Sequence, residues 1–132
     1  MNIEITTELY TKNLLRQHPE KIFVFGCNMK RYGKGGQAII RDEPNAFGIA
    51  TKCYPSRDDW AYFSDKEDEK EFVLQDLRNL YKLAQHKTIV FPAAGIGTGL
   101  AEMEKRSPVI WNMMCGVLLK HFGFDNKLGE LV

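Results

Sequence analysis

The chain has 132 residues, 44% of them hydrophobic and 27% charged, with a formal net charge of +1. That length holds one domain with a normal core and leaves no room for a second. The near-neutral charge leaves no electrostatic footprint for nucleic acid, and no apolar run reaches the length that crosses a bilayer, so no membrane partner and no direct sequence-specific nucleic-acid binding are expected. The N-terminus lacks a signal pattern. Three cysteines (Cys27, Cys53, Cys115) are odd in number and widely spaced, and the histidines (His18, His86, His121) are equally scattered. This fits reduced thiols in a cytoplasm, with no disulfide framework, no metal and no cofactor.

Asn2-Ile3-Glu4-Ile5-Thr6 alternates and predicts a short strand. Glu8–His18 reads as a short helix that Pro19 stops. Lys21–Phe25 is β-branched and aromatic, apolar on both faces, which predicts a central strand. A short helix over Gly35–Asp42 and a strand over Phe47–Thr51 follow. The loop Lys52–Phe63 carries Pro55, Trp60 and Tyr62. Ser64-Asp65-Lys66-Glu67 has the spacing of a capping box. It opens a helix reaching Gln85 or nearby, with Val73, Leu77, Leu80 and Ala84 on one stripe. Thr88–Phe91 is the next strand. Ser107-Pro108 supplies an N-cap and a first-turn proline for a helix with Ile110, Met113, Val117 and His121 along one side, ended by Gly123. Phe124–Val132 fits either a final edge strand or a loosely ordered tail. Strands alternating with helices predict an α/β layered fold.

Two glycine-rich segments run straight off apolar strands. The first is Gly26-Cys27-Asn28 with Gly33-Lys34-Gly35-Gly36; the second is Gly95-Ile96-Gly97-Thr98-Gly99-Leu100. Glycine lets backbone N–H groups converge on a phosphate, and a following helix N-terminus adds partial positive charge. Two such loops at strand carboxyl ends predict a site that grips a diphosphate from both sides. The plainer alternative is a pair of tight strand–helix turns. Neither segment matches G-x-G-x-x-G or G-x-x-x-x-G-K-[ST], and no G-x-S-x-G elbow occurs. Asn28 lies just beyond a strand end, where its amide can meet ribose hydroxyls or stabilise its own turn. Several main-chain donors hold an anion without any basic side chain, in keeping with the charge of +1.

These stretches resemble the macro domain, the ADP-ribose-binding family. Phe25-Gly26-Cys27-Asn28 with Gly33–Ile39 is similar to its first loop, an Asn followed by a glycine cluster and an Ala-Ile helix. Gly48-Ile49-Ala50-Thr51-Lys52 is similar to its central strand, which ends in Thr-Lys in some branches. Pro92–Leu100 is similar to its second, phosphate-cradling loop. The likeness covers most of the chain in element order and is specific only in these stretches. It points toward small macro-like proteins with FG-x-N and G-x-GL motifs, some of them phage-encoded, and toward the group that removes ADP-ribosyl adducts. It implies that residues 1–132 form a single macro-like domain, a three-layer α/β/α fold with a mixed, largely parallel central sheet. It also implies a cytoplasmic setting, the host's if the chain is phage-encoded.

The implied partner is ADP-ribose or an ADP-ribosylated substrate, and the implied activity is a hydrolase acting at the distal ribose, on the 1″-phosphate ester or on an ADP-ribosyl link. Many members bind without turnover, so a non-catalytic module that senses or sequesters such a nucleotide is the alternative. By resemblance, Asn28 contacts the distal ribose, and Gly26, Gly33, Gly35, Gly36 and Thr51 flank it. Gly95, Ile96, Gly97, Thr98, Gly99 and Leu100 enclose the phosphates. Glu4, in Glu4-Ile5-Thr6, takes the place of the family acid that contacts the adenine amino group. Lys52 corresponds to the nucleophilic lysine of the deglycosylating group, which works with an Asp directly after Gly-x-Gly-Leu. This chain has Ala101 there, with Glu102 next. The family's other mechanism needs no acid: a water activated by the substrate's own phosphate, positioned by Asn28 and the loops. Tyr54, Trp60, Tyr62 and Phe63 either stack on the ligand or pack their loop.

Overall fold

β2 (Lys21–Cys27) carries large apolar side chains on both faces and so needs cover on both. It lies inside a four-stranded, wholly parallel sheet with β1 (Ile3–Thr6), β3 (Ala46–Ala50) and β4 (Thr88–Pro92), in the order β1-β4-β2-β3. The computed structural model describes every residue from Met1 to Val132. On one face, Phe23, Phe25 and Val90 pack against Leu14 and Leu15 of α1 (Lys12–Gln17) and against Ala38 and Ile40 of a 3-10 turn, Gly36–Ile40. On the other, Val24, Ile49, Ile89 and Phe91 pack against two long helices. These are α2 (Glu67–Ala84) and α4 (Pro108–Phe122), the latter following the short α3 (Met103–Arg106). The protein is therefore α/β, with helical cover on both sides of a parallel sheet. The mixed sheet expected from the sequence is not formed. Antiparallel pairing occurs only outside that sheet, in a ribbon of β5 (Phe124–Asp125) and β6 (Glu130–Leu131) and in an isolated bridge between Lys52 and Tyr62. No helix is long and apolar enough to cross a membrane.

Several boundaries move for identifiable reasons. α1 starts at Lys12, four residues later than expected, because Thr11 Oγ1 accepts the Leu14 N–H (3.1 Å) and caps it there. The expected helix over Gly35–Asp42 is only the 3-10 turn, as adjoining glycines disfavour a longer one. The Ser64–Glu67 capping box does not form. Glu69 instead accepts the N–H groups of Ser64 (2.8 Å) and Lys66 (3.0 Å). Asp65 turns away to cap α4, accepting from Val109 (3.1 Å) and Ile110 (2.9 Å). Ser107, expected to cap that helix, donates its hydroxyl to the Met103 carbonyl. The buried stripe of α4 is Ile110, Trp111, Met114, Leu118 and Phe122, so Met113 and Val117 fall on its flank and His121 is exposed. The last nine residues are neither an edge strand of the main sheet nor a loose tail. Phe124 is fully buried and stacks on Phe91 with ring centroids 4.4 Å apart.

Candidate functional site

Parallel strands present all their carboxyl ends at one end of the sheet. β2 runs into a connection that folds onto the α1 face, where Ala38 and Ile40 are buried. Its neighbour β4 runs into one that folds onto the opposite face, where Ile96 and Met103 are buried. Adjacent parallel strands whose connections diverge leave a crevice between them. A cleft of about 560 Å³ opens here, lined by segments within 26–41, 51–57 and 94–101. This is the size of an ordinary small-molecule site.

Of the residues expected in the site, all but two line this cleft. Glu4 is one exception: it sits on β1, away from the cleft, with its carboxylate 2.8 Å from Lys21 Nζ. The edge position of β1, beyond β4, keeps it remote from the crevice between β4 and β2. Ile96 is the other. Its side chain is fully buried in the core, and its N–H donates to Asn126 Oδ1 (2.7 Å), so it offers nothing to a ligand.

The two loops nevertheless leave consecutive donors free. The main-chain N–H groups of Gly97, Thr98, Gly99, Leu100 and Ala101 have no acceptor in the protein, nor have those of Gly33 to Gln37. Gly97 is required by the turn itself: its φ is +78°, and a Cβ there would lie 2.3 Å from Met103 Sδ. Asn28 is buried, and its amide organises its own loop. Oδ1 accepts the Lys30 N–H (2.9 Å) and Nδ2 donates to the Tyr32 carbonyl (2.7 Å). Thr51 donates its hydroxyl to the Cys27 carbonyl (2.9 Å), tying β3 to β2 at the cleft floor.

The sequence suggested anion binding without basic side chains; the lining is more cationic than that. Lys34, Arg41, Lys52 and Arg57 contribute to it, and no Asp or Glu does. Lys34 is paired with Asp42 at 2.5 Å. Arg41 is committed to the first loop, donating to the carbonyls of Gly33 (2.7 Å) and Tyr32 (3.1 Å) and to Cys27 Sγ (3.0 Å). Arg57 is exposed and makes no ion pair.

Lys52 lies two residues past the end of β3, and its Nζ donates to the Ser56 carbonyl and stands 4.4 Å from the Tyr62 ring centroid. Desolvation first, then the Arg57 and Arg106 guanidiniums, hold its amine below the ordinary lysine range, with Glu102 acting the other way. The unfolded chain thus binds this proton more tightly than the folded one. Lys52 opposes folding at neutral pH, and that opposition fades as pH rises from the lowered folded value toward the ordinary one. In Lys52→Met the gain in stability between neutral pH and about pH 10 is expected to shrink, measured by urea unfolding at both. An unchanged gain shows that Lys52 is not the group responsible.

The aromatic residues suggested for stacking lie elsewhere. Tyr62 and Phe63 are buried, and Tyr54 and Trp60 pack edge-on at 4.9 Å outside the cleft. The aromatic residue that does line it is Tyr32, 56% exposed. Sequence reasoning also missed Gln37, Arg41, Arg57 and Asn126. Only Gln37 had a usable signal, its place directly after Gly35-Gly36.

A parallel α/β sheet with a cationic, glycine-walled crevice at its switch point defines the class. The chain belongs to the family described as "Family of unknown function (DUF7831)", whose profile matches residues 5–117. No curated protein and no solved structure matches it.

Proposed function

We propose that the cleft binds ADP-ribose or a close derivative, and that the chain is a macro-domain-like protein hydrolysing a bond at the distal ribose. The observation that carries this reading is the meeting of two glycine loops with rows of unpartnered main-chain N–H groups, in a cleft whose charged side chains are all cations. Such donors suit a diphosphate, because charge-assisted hydrogen bonds are about twice as strong as neutral ones. Although Asn28 serves its own loop, its Oδ1 keeps a second lone pair and its Nδ2 a second hydrogen for a ribose hydroxyl.

Two routes to hydrolysis are compatible with these residues. In one, the neutral Lys52 amine attacks the anomeric carbon and displaces the group bonded there, and water then cleaves the ribosyl–lysine bond. In the other, a water that gives its proton to the substrate's own phosphate attacks that carbon and displaces the group, which takes up a proton. Glu102 forms an ion pair with Arg106 (3.5 Å) and does not line the cleft, while Ala101 does. No carboxylate hydrogen-bonds the Lys52 amine, which favours the water route. The same absence of an acid at Ala101 favours the second reading, a module that binds the nucleotide without turning it over.

Calorimetry with ADP-ribose is the first test. Micromolar binding is expected, and a folded protein that gives no heat up to about millimolar ligand removes the ligand from consideration. Asn28→Ala should abolish turnover by either route. Lys52→Ala should abolish it only if the amine is the nucleophile. Tight binding with no product after long incubation decides for the non-catalytic module.

A further inference from the structure

Gln37, just after Gly36, is the one side chain hydrogen-bonded to both glycine loops. Its Oε1 accepts the Gly26 N–H at 3.0 Å, and its Nε2 donates to the Gly95 carbonyl at 3.2 Å. Each loop is otherwise held by its own supports. Arg41 grips the carbonyls of Tyr32 and Gly33, and Asn126 grips both main-chain groups of Ile96. No other hydrogen bond crosses from residues 26–41 to residues 94–101. The gap between the two rows of free N–H groups is therefore spanned by a single carboxamide. An amide is the group this place requires, since one end must accept and the other must donate.

We propose that Gln37 is a positioning residue that fixes the separation of the two loops and so selects ligands with two linked phosphates over ligands with one. This rests on the diphosphate-binding reading of the cleft. A single phosphate needs the donors of one loop only, whatever the distance to the other. Two linked phosphates have a fixed span, and both loops reach them together only if the gap matches that span.

The test compares ADP with AMP, which differ by one phosphate, on the wild type, Q37M and Q37N, with ADP-ribose on the wild type alongside. Methionine matches the length of glutamine and makes neither hydrogen bond; asparagine keeps the amide but is one methylene too short to bridge. Both variants are expected to lose about tenfold in ADP affinity and less than about threefold in AMP affinity. Q37N carries the same comparison should Q37M fail to fold. A purely structural role weakens both ligands equally. Equal losses, or an unchanged ratio, overturn the proposal. A wild type that binds ADP-ribose while the ratio stays unchanged overturns this inference alone; a wild type that binds none of the three overturns the reading of the cleft and this inference with it.

Discussion

Asn126→Ala is expected to lower stability by about 3 kcal/mol, measured by urea unfolding. The side chain is 2% exposed and serves both main-chain groups of Ile96, accepting its N–H at 2.7 Å and donating to its carbonyl at 2.9 Å. Ile96 is itself fully buried, so truncation leaves a donor and an acceptor in the interior without partners. Each such group costs about 1–3 kcal/mol, more than the bond itself contributes. The loss also reaches the cleft, since Ile96 lies in the middle of the second glycine loop, and weaker ligand binding should accompany it. Asn126→Asp makes a control, because it keeps the acceptor for the N–H while losing the donor to the carbonyl. A loss below about 1 kcal/mol in Asn126→Ala means that the Ile96 groups find other partners.

Gly99→Trp and Gly35→Trp should do the opposite, leaving the fold intact and abolishing binding. A Cβ built at either position meets nothing within 4 Å. Neither glycine has a positive φ, so a side chain brings no backbone strain. Both line the cleft, and an indole there occupies the volume a nucleotide needs. Stability should change by no more than about 0.5 kcal/mol, as for surface substitutions, while ADP-ribose affinity falls by about 100-fold or more. On the proposed reading, glycine at these two places serves the approach of a ligand, in contrast to Gly97, which the turn needs. Wild-type affinity in both variants places the ligand somewhere other than this cleft.

The glycine pattern and the apolar strands made most of the cleft legible from the residues alone. Gly33, Gly35, Gly36, Gly97 and Gly99 could be read because glycines clustered straight after an apolar run mark backbone that must turn sharply or be approached closely. Strand identity was equally clear for Lys21–Phe25, where large apolar residues occupy both faces. The topology was less so: nothing local tells β4 to insert between β1 and β2. The supports of the site were also hidden, because they act across long separations. Asn126 reaches a residue 30 positions earlier, and Asp65 caps a helix 44 and 45 positions later. Glu4 misled for the reverse reason. A three-residue motif fixes local conformation but not which edge of the sheet the strand takes.

The cleft wall holds four cations and no carboxylate, although the molecule as a whole carries 18 Lys and Arg against 17 Asp and Glu. Asp42 pairs with Lys34, but Arg41, Lys52 and Arg57 are in no ion pair, so an anion feels the attraction before contact, within a screening length of about 8 Å at physiological ionic strength. Capture should therefore speed up in dilute buffer and slow in concentrated salt. Dissociation, on the reading in which main-chain N–H groups hold the ligand, should hardly respond.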